Sequence, residues 1–153
     1  MKKFLINFAA SSIAYFIAGF IGVSTFIGLI WLGRYSGIDM PYWVATLVFY
    51  GSFVLTTGIS VILFFFVGSK LNLLGKHWLN YLSVSGSLII PVILSVVLLD
   101  MSVLLLSNIP FFMLLEFTRT GGSEVHSPVF MCIIATFPSI ITWLGMLYKS
   151  RKI

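Results

Sequence analysis

Four long apolar runs, separated by short stretches that hold most of the polar and charged residues, organise this chain. The first extends from Phe4 to Gly33 without a charge, the second from Tyr42 to Gly68, the third from about Tyr81 to Ser107, and the fourth from Pro128 to Tyr148. None alternates apolar with polar positions, and each is at least twice the ~10 residues of a membrane strand, so the pattern predicts helices. A helix of about 20 apolar residues crosses a hydrocarbon core, and it alone among open structures satisfies its own backbone there. The expected fold is all-α: a single domain, residues 1–153, forming a four-transmembrane-helix bundle with helices near 4–33, 42–68, 81–107 and 128–148.

The connections refine this expectation. The first run follows Met1-Lys2-Lys3 and is about twice the apolar length of a secretory signal, which reads as a retained anchor. At 1.5 Å per residue it makes a helix of roughly 45 Å, so tilt or an interfacial extension is expected. Pro41 suits the start of the second helix, and Tyr42 with Trp43 suits the headgroup level. Between Ser69 and Asn80, the residues Lys70, Lys76, His77 and Trp78 interleave with leucines, as in a segment lying at the interface. Pro91 predicts a kink in the third helix. Ile109–Phe117 is apolar but too short to span, so a short interfacial or re-entrant segment is expected between helices 3 and 4. No segment repeats another.

Composition strengthens the membrane reading. Hydrophobic residues make up 59% of the chain and charged ones 8%, against about 45–50% and about 25% in soluble domains. So few charges leave most of the surface to be covered by lipid. The net charge of +5 does not point to nucleic acid, because the basic residues flank apolar runs instead of forming one face of a soluble fold. Their distribution predicts orientation. With the N-terminus inside, the inner segments hold Lys2, Lys3, Lys70, Lys76, Lys149, Arg151 and Lys152, and the outer ones only Arg34 and Arg119. Both termini are therefore expected in the cytoplasm of a multi-pass protein. Cys132 is the single cysteine, which rules out an intrachain disulfide and any CxxC motif. It reads as a small apolar side chain.

Helices in lipid associate through small residues and occasional hydrogen bonds. Ala10, Ala14, Ala18 and Gly22 recur every four residues on the first helix, and Ser83, Ser87, Pro91 and Ser95 on the third. These two stripes are candidate packing faces within the chain.

Candidate chemistry is sparse. Asp100, the one ionisable group in the third run, is a candidate intramembrane or interfacial site together with Ser95. Glu116, Arg119, Glu124 and His126 form a candidate outer-face site, although their spacing fits no metal-ligand pattern and no metal or other cofactor is expected. Lys76-His77 is a basic interfacial pair of the kind that lipid phosphates attract. No nucleophile-elbow, phosphate-loop, dinucleotide or zinc-protease motif occurs, so no reaction has residue-level support. The expected role is a non-enzymatic accessory, immunity or subunit-type partner, contacting the lipid bilayer and another membrane protein or a second copy of itself. Two other readings remain: a homo-oligomeric channel or carrier lined by Asp100 and the serine stripe, and an outer-face membrane enzyme.

Overall fold

The computed structural model describes residues 1–35, 41–97, 111 and 128–151, and every element in them is helical. They form α1 (Lys2–Tyr35), α2 (Tyr42–Lys70), α3 (His77–Val84), α4 (Gly86–Val97) and α5 (Pro128–Ser150). Two of these, α1 and α2, are long and apolar enough to cross a membrane, and a third candidate arises if the bent pair α3–α4 counts as one span. The chain is thus an integral, multi-pass helical membrane protein. The segment between helices 3 and 4 that the sequence marks as interfacial or re-entrant lies outside the described residues, Phe111 excepted.

Helix ends follow the local chemistry. At α2 the start is set by Pro41, whose fixed φ of −53° leaves its carbonyl to accept the N–H groups of Val44 and Ala45 at 2.9 and 3.1 Å. The far end of α2 closes when the Leu71 N–H donates to the carbonyls of Val67 and Gly68, after which the chain turns extended. The 34 residues of α1 amount to about 51 Å of helix, well beyond the ~30 Å of a hydrocarbon core.

The third run departs from expectation. Its helix begins at His77, in the stretch read as interfacial, and it breaks at Ser85, six residues ahead of the expected kink at Pro91, with a bend of 46° between the two pieces. Local bonding explains the position. Ser85 closes α3, its hydroxyl donating to the Leu82 carbonyl at 2.7 Å, while its own carbonyl accepts the N–H groups of Leu88 and Ile89 at 2.9 Å and opens α4. Next to it, Gly86 presses so closely on α1 that a Cβ there would lie 2.6 Å from Ser12 Oγ and 2.9 Å from the Phe8 carbonyl. The bend brings α3 back against the start of α1.

Helix directions follow from paired contacts. Asn7 bonds to Asn72 while the rings of Tyr15 and Phe64 sit 6.5 Å apart, so α1 and α2 are antiparallel. Leu71 meets Lys149 and Phe64 shares a cluster with Ile134, so α2 and α5 run together. Tyr81 stacks edge-on to Trp143 while Val84 meets Ser139, so α3 opposes α5. The chain therefore runs out along α1, back along α2, out along α3–α4 and back along α5.

Two apolar clusters fill the interior. Ala14, Tyr15, Ala18, Phe64, Phe111 and Ile134 form one, and Leu71, Val84 and Met146 form the other, nearer the chain's start. Glycine sets the closest approach, between α2 and α5. A Cβ at Gly68 would collide with the Thr142 carbonyl, and one at Gly145 with the Phe65 carbonyl. Backbones this close gain dispersion contacts along both helices, the main attraction available between helices in lipid.

Candidate functional site

Because of these directions, the starts of α1 and α3 and the ends of α2 and α5 meet at one end of the bundle. The linker from Leu71 to Lys76 crosses that end, and three helices hold it. From α1, Asn7 Nδ2 donates to the Asn72 carbonyl at 2.8 Å, and Asn7 Oδ1 accepts the Asn72 N–H at 3.0 Å. From α3, Asn80 Oδ1 accepts the Leu74 N–H at 2.7 Å. From α5, Lys149 Nζ donates to the Leu71 carbonyl at 2.8 Å. Asn7 Nδ2 also reaches Ser83 Oγ at 3.2 Å, and Ser83 in turn donates to the Asn80 carbonyl at 2.8 Å. Asn7 and Ser83 are fully buried. An extended linker has backbone groups that no helix satisfies, and near a membrane those groups need side-chain partners.

Around this clamp stand Lys2, Lys3, Lys70, Lys76, His77 and Arg151, all exposed. Lys70 Nζ lies 5.4 Å from the centre of the Phe66 ring, which holds the ammonium over the apolar edge of α2. Exposed Trp78 opens the neighbouring helix. No acidic side chain occurs among the described residues, because the four acids of the chain are Asp39, Asp100, Glu116 and Glu124.

A second feature lies on the outside of α2. Gly51 and Gly58, seven residues apart, face open space where a Cβ would meet nothing within 4 Å. Exposed Leu47, Val54, Leu55 and Ile62 flank them on the same side of the helix. Inside the bundle, by contrast, Gly68, Gly86 and Gly145 each touch a neighbouring helix.

The candidate residues named from sequence divide accordingly. Asp100, Glu116, Arg119, Glu124 and His126 lie outside the described residues. Ser87 and Ser95 lie on α4, and Cys132 on α5, with side chains outside the described set. Ala14, Ala18 and Gly22 are buried, and Ala10 packs against the cluster of Leu71, Val84 and Met146. Ser83 is buried against Asn7. Sequence reasoning passed over the clamp itself. Its signal was Asn7, the only carboxamide in the first run, since an amide among apolar residues in a membrane helix calls for a partner.

Several interior hydroxyls serve their own helices, whereas Ser139 reaches across to the Val84 carbonyl. Ser12 donates to the Phe8 carbonyl at 2.8 Å, Thr56 to Ser52 at 2.7 Å, Ser60 to Thr56 at 2.9 Å and Thr142 to Pro138 at 2.7 Å. Among the described residues, no three His, Cys, Asp or Glu side chains gather as metal ligands would. Comparison with protein-family models, curated proteins and solved structures returned no match.

Proposed function

We propose that the protein is a non-enzymatic accessory or subunit-type partner of another membrane protein, docking through the α2 face around Gly51 and Gly58. That open glycine face is the observation that carries the reading. Every inward glycine whose surroundings are described has a neighbouring helix in the groove it makes, whereas Gly51 and Gly58 offer the same groove unfilled. Small residues let a second backbone approach closely, and close packing is what joins helices in lipid. In this reading the bundle has four crossings, made by α1, α2, the α3–α4 pair and α5. The basic end and both termini then face the cytoplasm, which the positive-inside rule favours.

The test is photocrosslinking from Leu55 in native membranes, compared with the variant Gly51→Leu/Gly58→Leu. A specific crosslinked membrane protein, lost in the variant while the variant stays folded, supports the proposal. Crosslinks to lipid alone, or a partner retained by the variant, refute it. A crosslink to a second copy of the chain replaces accessory docking with self-association. Orientation is checked in a Cys132→Ser background: Gly75→Cys should resist an impermeant thiol reagent applied outside, and Ser36→Cys should react.

A further inference from the structure

Among the described residues, the end of the bundle that carries the clamp gathers basic side chains and no acidic one. Lys2, Lys3, Lys70, Lys76, His77 and Arg151 are exposed there, and no described residue is acidic. Charges of one sign gathered on one end repel each other, and the repulsion is relieved when anions from outside settle among them. In a membrane the anions at that depth are lipid headgroups. Exposed Trp78 and Tyr148 mark the same level, because such rings favour the zone between hydrocarbon and water.

The clamp makes part of this surface more than diffuse charge. Lys70 is the last residue of α2 and Lys76 the residue before α3, so they bracket the linker at its two ends. The linker is fixed by Asn7, Asn80 and Lys149 through hydrogen bonds of 2.7–3.0 Å. Lys70 is further held over the Phe66 ring. Two cations at the ends of a linker bonded to three helices lose less freedom on binding than Lys2 and Lys3, which no side-chain bond among the described residues holds in the first turn of α1. Binding to the linker pair is correspondingly tighter.

We propose that the linker between α2 and α3 is a seat for the headgroup of an anionic phospholipid, its phosphate placed between Lys70 and Lys76. The seat is independent of whatever docks on the outer face of α2.

The experiment uses the full-length protein purified in a neutral detergent and mixed with equal amounts of phosphatidylglycerol and phosphatidylcholine of the same acyl chains. Retained lipid is counted by native mass spectrometry, and thermal midpoints are recorded in parallel. Phosphatidylglycerol should be retained preferentially and raise the midpoint, while inorganic phosphate at the same concentration leaves it unchanged. Lys70→Gln/Lys76→Gln should weaken retention by about fivefold per lysine, and Lys70→Arg/Lys76→Arg should restore it. Lys2→Gln/Lys3→Gln, which removes the same charge, should have a clearly smaller effect. Equal retention of the two lipids, an equal response to free phosphate, or equal losses in the two glutamine variants would each overturn the proposal. A far-ultraviolet circular dichroism spectrum and gel-filtration profile matching the parent confirm that the variants are folded.

Discussion

The two halves of the α1–α2 hairpin are built from similar residues and behave differently. Toward the basic end, buried positions recur along α1 from Asn7 to Gly22 and along α2 from Phe53 to Gly68. In the other half, none of the described side chains from Val23 to Leu32 or from Tyr42 to Ser52 is buried, and Ile27, Trp31, Trp43 and Leu47 stand more than half exposed. The difference shows what holds a helical bundle in lipid. An apolar side chain facing acyl chains has no hydrophobic reason to move inward, so apolar content closes neither half. The basic half is closed by an asparagine clamp on the linker and by glycines that let backbones touch, features not found among the described residues of the other half.

The comparison can be broken at several points. The largest effect is expected from Gly145→Leu, whose side chain would run into the Phe65 backbone. Overpacking against backbone that cannot yield should cost more than about 3 kcal/mol, seen as loss of a monodisperse peak or a sharp fall in thermal midpoint. Asn7→Leu keeps the branched shape but strands the N–H and the carbonyl of Asn72. A loss of about 1–3 kcal/mol is expected, together with faster hydrogen exchange at Asn72; an unchanged midpoint would show that the clamp adds no stability. Lys149→Met removes one charged donor to the Leu71 carbonyl from a half-buried position. Its cost should be about 1 kcal/mol, with protease sensitivity rising between Leu71 and Lys76. In the open half, Leu47→Ala should change stability by less than about 0.5 kcal/mol. A larger loss there would mean that the outer half is held as firmly as the basic half.

Much of the fold was legible in the sequence, and the site was less so. Helix type and approximate limits could be read from run length, as at α2, where Pro41 and Lys70 bound the observed helix close to the expected Tyr42–Gly68. The gathering of basic residues at helix ends was also visible, since charged groups avoid hydrocarbon wherever the chain later places them. The break at Ser85 was missed because Pro91 is the stronger local signal, while the break combines the bonds of Ser85 with the close packing of Gly86 on α1.

What the sequence determined by itself was the solvent: long apolar runs that satisfy their backbone as helix in lipid, with nearly all charges left between them. Which faces of those helices meet was decided by the tertiary structure alone. In a soluble helix the apolar stripe marks the inner face, but here both faces are apolar and that periodicity carries no information. The contacts that fix the bundle join residues 65 and 78 positions apart, Asn7 with Asn72 and Leu71 with Lys149. Such partners depend on how neighbouring helices are rotated, a quantity that the apolar pattern of this chain does not encode.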